Sequence, residues 1–202
     1  MAKASDGPPP GPAPLGALIA DAARRKGPPP VHLWNPPFCG DIDMRIARDG
    51  TWFYGGTPIA RPALVRLFAS VLRRDADRFV LVTPVEKLGI TVEDAPFLAV
   101  ELDGDPGTGL RLRTNLDDWV TLGPDHPLRF APGAGGALKP YARVRGDLWA
   151  LAARPVFYEL VAAGETREVE GRALFGIASG ASFFPMAEAS ALEDLAADPD
   201  LG

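Results

Sequence analysis

The residue types that most often carry out catalysis or bind metals are scarce in this sequence. Its 202 residues include one cysteine, Cys39, and two histidines, His32 and His126. A lone cysteine excludes an intramolecular disulfide and suits a reducing compartment. Lys3 is followed by prolines instead of an apolar segment, so we expect no secretory signal and a cytoplasmic location. No apolar run approaches the roughly 18 residues of a membrane-spanning helix, so we expect a globular protein with no membrane partner.

Unbalanced charge is also lacking over most of the chain. The formal net charge is −5 at pH 7, and five of the 26 acidic residues lie in residues 187–202, which contain no basic residue. The rest of the chain therefore has 21 acidic and 21 basic residues. Duplex nucleic acids and anionic membranes bind to concentrated basic surfaces, so neither is an expected partner. Arginine outnumbers lysine 17 to 4, which fits recognition of an anion but is explained more simply by codon bias.

Proline and glycine divide the chain into segments. Ten of the 22 prolines lie between Pro8 and Pro37, and a short apolar repeat at helical spacing lies among them. The glycine-rich residues 104–109 form the most linker-like break further along, and we place a domain boundary there. The predicted organisation is a proline-rich arm with a short helix (1–29), an N-terminal half (30–105), a C-terminal half (106–186) and an acidic tail (187–202).

The two halves have the alternating patterns of an α+β protein. From Asp41, apolar and polar residues alternate, and the turn at Asp49-Gly50 predicts a β-hairpin. Pro62 begins a helix whose apolar face continues to Arg74. Residues 85–92 are irregular or a short strand. Further strands are predicted at residues 79–83, 97–102, 110–114, 119–122, 128–130, 141–145 and 148–151.

An internal repeat relates the halves. A hairpin, a tryptophan and an Arg-Pro pair that opens a helix occur in this order twice, with Trp52 and Pro62 in the first copy and Trp149 and Pro155 in the second. We therefore predict a duplicated fold in which each half has a mostly antiparallel sheet and one main helix.

The repeat also predicts the register of both hairpins. A three-residue turn that ends at Gly50 would place Ile46 opposite Trp52. A two-residue turn in the second copy would place Val144 opposite Trp149 on an equivalent core face.

Two groups of residues suggest catalysis, each with a plainer structural explanation. Asp41 and Asp43 share one face of a strand and could hold Mg²⁺ beside His126 as an acid or base, or Arg45 could neutralise Asp43 in a solvated ion pair. Cys39 with His126 could form a nucleophile and base, or Cys39 could be a packed thiol. Neither histidine has a partner at helical metal-ligand spacing, so no metal or cofactor is predicted.

Polar residues at predicted strand ends favour a ligand site. They supply hydrogen-bond donors and acceptors from both halves, and ligand sites prefer interdomain clefts. The candidate contacts are Thr83, Glu86, Lys87, Asn115, Asp117, Asp118 and His126, with Arg45 and Asp43 at the rim.

Several ordered segments resemble a bacterial family of unknown function, domain-of-unknown-function family 1285. None of the segments is diagnostic alone, but together they span about residues 30–186. They are residues 39–44, 49–52, 58–59, 82–86, 94–97, 114–118 and 126–128.

This resemblance implies an α+β protein with two related halves, the second loosely similar to pleckstrin-homology-like folds. It also implies a site between the halves for a nucleotide-like small molecule and a role in signalling, without an established activity. We expect a non-catalytic ligand-binding or regulatory module. The alternatives are a protein-interaction adaptor that uses the arm, the tail or a sheet edge, and, less favoured, a metal-assisted hydrolase or transferase.

Overall fold

The computed structural model of the chain describes residues 29–133 and 138–190. The predicted helix of the arm and the acidic tail from residue 191 onward lie outside these residues. The described residues divide into two compact units. The first unit contains residues 29–44 and 53–91, and the second contains residues 45–52, 92–133 and 138–190.

The first unit is built on a six-stranded sheet and one helix. A single 3-10 turn, Val31–Leu33, precedes the sheet, whose strand order is β3-β2-β1-β6-β5-β4. The elements are β1 (Phe38–Ile46), β2 (Trp52–Tyr54), β3 (Thr57–Pro58), α1 (Pro62–Ser70), β4 (Leu72–Asp75), β5 (Arg78–Val82) and β6 (Lys87–Val92).

The first hairpin has the predicted register. Ala47 donates its N–H to the carbonyl of Thr51, and the N–H of Gly50 bonds back to Ala47, which closes a three-residue turn. Gly50 has a φ of 79°, the left-handed conformation that such a turn requires at this position. Ile46 therefore lies opposite Trp52, and both side chains are buried.

Helix α1 begins where predicted and ends earlier. Pro62 occupies its first turn, where the missing N–H costs nothing, and the preceding Arg61 is extended. The helix stops at Ser70, and Arg73 and Arg74 lie in strand β4 instead. Strand β4 pairs with β5, so the backbone bonds of this segment are made across the sheet. Residues 85–92, which the sequence left undecided, include the strand β6.

An ion cluster ties the beginning of the described chain to strand β4. Asp75 accepts hydrogen bonds from the Nε of Arg73 at 2.6 Å and from the Nζ of Lys87 at 2.8 Å. The same guanidinium donates to the carbonyls of Val31 and Trp34. These hydrogen bonds, first that of Arg73, hold the pKa of Asp75 below its usual value although partial burial opposes them.

We expect Asp75→Asn to lower the free energy of unfolding by about 1–2 kcal/mol at pH 7, because two half-buried cations lose their counter-ion. The folded pKa of Asp75 is depressed, so its contribution is present above the unfolded pKa of about 3.9 and is lost as the pH falls through the folded value. Urea unfolding at several pH values should show a constant difference between wild type and variant above about pH 5 and a shrinking one below about pH 4. A difference that grows on acidification would contradict this account.

The second unit contains a six-stranded and a three-stranded sheet. The strand orders are β10-β11-β12-β7-β8-β9 and β13-β14-β15. Strands β12 and β7 pair in parallel, and the other neighbouring strands of these two sheets, as far as the structure describes the chain, pair antiparallel. The elements are β7 (Phe97–Asp105), β8 (Gly109–Thr114), β9 (Trp119–Thr121), β10 (Leu128–Pro132), β11 (Leu138–Arg145), β12 (Leu148–Ala152), α2 (Arg154–Ala162), β13 (Gly164–Val169), β14 (Arg172–Ser179) and β15 (Ser182–Glu188).

The glycine-rich residues 104–109 lie within a hairpin. Asp105 pairs with Gly109 across the turn, and the pairing of β7 with β8 continues from there to Ala99 and Thr114. The boundary that we placed in this segment therefore falls inside one sheet. The second compact unit begins earlier along the chain, at residue 92, apart from the hairpin turn 45–52.

The predicted register of the second hairpin is wrong. Trp149 lies opposite Arg143, and a bulge shifts the pairing before Arg145, so Val144 is not its partner. Val144 is buried, whereas Trp149 is half-buried on the other side of the sheet. One extra residue in a β-bulge reverses the faces of the strand beyond it, and the sequence carries no local signal for that residue.

The α+β fold with two related halves is confirmed. In each half a hairpin leads into a nine-residue helix with proline in its first turn, and three successive strands follow. The strands after the helices are β4, β5 and β6 in one half and β13, β14 and β15 in the other, and both sets pair antiparallel in sequence order. Within the described residues no helix is long and apolar enough to cross a membrane.

Candidate functional site

Three of the predicted contacts in the first unit lie at the turn between β5 and β6, where two of them stabilise structure. The hydroxyl of Thr83 accepts the N–H of Val85 and of Glu86 and donates to the Glu86 carbonyl, which fixes the turn. Lys87 is paired with Asp75. Burial raises the pKa of Glu86, whose side chain is half-buried.

Arg45 pairs with a carboxylate other than Asp43, the partner that the sequence interpretation gave it. Its guanidinium forms an ion pair with Glu93, and the second carboxylate oxygen of Glu93 accepts the N–H of Arg48. Asp43 is exposed, and its backbone carbonyl accepts the N–H of Gly55. These contacts stabilise the first hairpin.

The catalytic hypotheses gain no support from the geometry. Both carboxylate oxygens of Asp41 accept hydrogen bonds from Arg78, at 2.9 and 3.1 Å. In residues 29–133 and 138–190, no three His, Cys, Asp or Glu side chains are grouped so that they could hold a metal ion. Cys39 is a free, exposed thiol, so the interpretation of a packed thiol is wrong.

The turn between β8 and β9 brings together three predicted contacts of the second unit. The amide oxygen of Asn115 accepts the N–H of Leu98 at 3.0 Å. Asp117 pairs with Arg113, and Asp118 pairs with Arg145. All three polar side chains therefore have partners within the fold: Asn115 in β7, Asp117 in β8 and Asp118 in β11.

His126, the fourth predicted contact of this unit, lies in the turn before β10. Its Nδ1 is 3.0 Å from the carbonyl oxygen of Arg143, a distance at which the ring nitrogen donates. A carbonyl oxygen can only accept, so Nδ1 carries a proton in this hydrogen bond. The Nε and Nη2 of Arg143 donate in turn to the carbonyl of Asp125, so the turn and strand β11 are joined twice.

A different group of side chains on the second unit has the composition of a binding surface. Alternate residues of β11, including Ala142 and Val144, are buried, so the residues between them lie on the outward side of the sheet. Register places one residue of β10 and one of β12 on this same side. We call this group the cationic-aromatic surface; its residues are Arg129, Lys139, Tyr141, Arg143 and Trp149.

Arg129 lies over two aromatic rings at the centre of this surface. Its guanidinium carbon is 4.0 Å from the ring centroid of Trp149 and 5.5 Å from that of Tyr141. Stacking of this kind contributes about 0.5–1 kcal/mol at exposed sites and restricts the side chain to one orientation. The indole Nε1 of Trp149 donates to Asp147, which holds the ring in place beneath the guanidinium.

Asp94, at the edge of the surface, orients the ring of Tyr141. Its carboxylate accepts the hydroxyl of Tyr141 at 2.6 Å and the Nζ of Lys139 at 2.5 Å. Burial by itself would raise the pKa of Asp94, but these two hydrogen bonds outweigh it and the pKa is lowered. Burial and the bond to Asp94 raise the pKa of Tyr141 to about 12, so its hydroxyl stays protonated and acts as a donor.

Sequence reasoning missed this surface, although one signal was present. Lys139, Tyr141 and Arg143 alternate with smaller apolar residues, the pattern of a strand with one solvated face. The position of Arg129 beside them follows only from the pairing of β10 with β11, and that of Trp149 from the bulge in the second hairpin.

Each half of the chain matches a known family model. Residues 29–95 match the N-terminal domain of the domain of unknown function DUF1285, and residues 96–186 match the C-terminal domain of the same family. The chain belongs to the DUF1285 family. The two family domains meet between residues 95 and 96, close to the start of the second compact unit at residue 92.

Two crystal structures of DUF1285 family proteins are similar to this chain. One, from Silicibacter pomeroyi DSS-3, has 52% sequence identity and a TM-score of 0.78, and the match covers 87% of this chain and 97% of the other. The second, from Shewanella baltica OS155, has 28% identity and a TM-score of 0.49, with 60% and 91% covered. The comparison with curated proteins found no match.

Proposed function

We propose that this DUF1285 protein is a non-catalytic, cytoplasmic regulatory module that binds a small anionic, nucleotide-like molecule in a signalling role. The observation that carries the proposal is the cationic-aromatic surface, where Arg129 is exposed and stacked on Trp149 and Tyr141. Aromatic rings and a guanidinium are the groups that bind planar rings and oxyanions in proteins.

The surface is suited to binding more than to chemistry. Tyr141, with a pKa of about 12, is a poor base at neutral pH, and Lys139 is held by Asp94. The His126 ring, which could transfer protons, bonds to a backbone carbonyl. The predicted contacts Asn115 and Asp118 are used within the fold, so in this proposal the ligand is held chiefly by residues of the surface.

An adaptor that binds another protein is the second candidate. Trp119, with 42% of its surface exposed, lies on the edge strand β9 and favours this role. Tryptophan and arginine are enriched among the residues that dominate protein interfaces, and Arg111 stacks on this ring at 4.7 Å.

The test is a thermal-shift screen of the full chain with nucleotides, organic acids and other common metabolites. A ligand that binds only the folded state stabilises it by RT ln(1 + [L]/Kd), about 2.7 kcal/mol at a hundredfold excess over Kd. We expect planar anionic compounds to raise the midpoint of unfolding and their neutral analogues not to do so. If none of the anions raises the midpoint, the ligand-binding function is wrong and the adaptor is favoured.

A further inference from the structure

We propose that Arg129 forms a binding site for a phosphate or carboxylate group on a planar ring. This inference rests on the proposed function and assigns the ligand class to one residue. The guanidinium lies over Trp149 at 4.0 Å and over Tyr141 at 5.5 Å, so its orientation is set before a ligand arrives. Preorganisation of this kind reduces the entropy lost on binding.

Three other cations on this side of the sheet are already paired with carboxylates. Arg111 bonds to Asp103 at 2.7 Å, and Arg113 bonds to Glu101 at 2.7 Å. Lys139 bonds to Asp94. Arg129 differs from them: across residues 29–133 and 138–190, it has ring contacts but no carboxylate within ion-pair distance. Its charge is therefore open to an incoming anion, whereas two N–H groups of Arg143, which likewise has no carboxylate partner in the part of the chain that the structure describes, are already bonded to the Asp125 carbonyl.

The shape of the guanidinium defines the ligand class. Its planar fork of N–H groups matches two oxygens of a carboxylate or a phosphate, and its flat face stacks on planar rings. Arg143 is the neighbouring cation on the same side, diagonal to Arg129 across the β10 and β11 pair. Its Nε and Nη2 are bonded to the Asp125 carbonyl, so it adds positive potential near the ligand.

Asp94 supports the site without contacting the ligand. It accepts hydrogen bonds from the Tyr141 hydroxyl and from Lys139. It thereby fixes the ring on which Arg129 rests and neutralises the one lysine of the surface.

The experiment measures dissociation constants by calorimetry for the full chain with four probes: adenosine monophosphate, benzoate, adenosine and inorganic phosphate. We expect adenosine monophosphate or benzoate to bind most tightly, inorganic phosphate more weakly, and adenosine not at all. Tighter binding of the nucleotide identifies a phosphate as the anionic group, and tighter binding of benzoate identifies a carboxylate.

Arg129→Gln should weaken binding of the preferred probe at least about tenfold, because the fork and the charge are both removed. Arg129→Lys keeps the charge and should give an intermediate loss. Arg111→Gln is the matched control, since Arg111 also stacks on a tryptophan but is neutralised by Asp103. It should leave binding unchanged.

The outcomes separate the two proposals. If the wild-type chain binds a probe and Arg129→Gln binds it equally well, the assignment to Arg129 is overturned and the proposed function stands. Equal losses in Arg129→Gln and Arg111→Gln also overturn it, because they would indicate a general effect of net charge. If the wild-type chain binds none of the anions, both proposals fail. Circular dichroism of each variant checks that the fold is retained, which we expect because the Arg129 side chain is exposed.

Discussion

Trp52→Ala should lower the free energy of unfolding by about 3–5 kcal/mol, the largest effect expected for a single substitution considered for this protein. The Trp52 side chain is 1% exposed and lies opposite Ile46, which is also fully buried. Removing the indole leaves a cavity that the paired strands of the hairpin cannot close without shifting their register. Urea unfolding followed by far-UV circular dichroism measures the loss.

Trp149→Ala is the matched comparison, because the internal repeat makes Trp149 the sequence equivalent of Trp52. The structure places it half-buried beneath Arg129, so we expect a smaller loss of about 1–2 kcal/mol. Equal losses at the two positions would show that the equivalence in sequence extends to packing. That result would contradict the register of the second hairpin described above.

Gly176→Ala should lower the free energy of unfolding by about 2–3 kcal/mol through overpacking. A methyl group at Gly176 would lie 2.8 Å from the Phe183 Cζ and 2.9 Å from the Pro185 Cα, and it would also meet the Phe184 carbonyl. Two of these atoms belong to the backbone of β15, which pairs with β14 at this point. The clash is relieved only if the strand itself moves, which disturbs the ladder on both sides. Thermal and urea unfolding measure the effect.

Gly123→Ala is the control for the Gly176→Ala substitution. The nearest atom to a methyl group there is the Thr121 carbonyl oxygen at 4.0 Å, and the backbone is not in the left-handed region. Such a substitution reduces the freedom of the unfolded chain and stabilises by about 0.4–1 kcal/mol. A loss at Gly123 as large as that at Gly176 would mean that overpacking is not the cause.

The candidate ligand contacts show how far the role of a polar residue depends on its partners in the fold. Asn115, Asp117 and Asp118 were chosen because they cluster at a strand end, and the structure does bring them into one turn. Each is satisfied by a neighbour, and two of these neighbours, Leu98 and Arg145, are distant in sequence. Whether a polar side chain is free for a ligand depends on such partners, which composition and spacing do not specify.

The sequence by itself determined most strands up to β12, both helix starts, the duplication and the family of this protein, whereas β13, β14 and β15 were not predicted. Alternating residues identified most strands, Pro62 and Pro155 marked the two helix starts, and the turn at Gly50 set the first hairpin. These features depend on residues that are close along the chain, so their signals are local.

Tertiary structure decided which residues face each other and which charges remain open. The bulge near Arg143 placed Trp149 on the outward side, and the pairing of β10 with β11 brought Arg129 over its ring. The ion pair of Arg45 with Glu93 likewise depends on contacts between distant segments. A shift of one residue in strand register moves a side chain to the opposite face, and no short-range pattern in the sequence records such a shift.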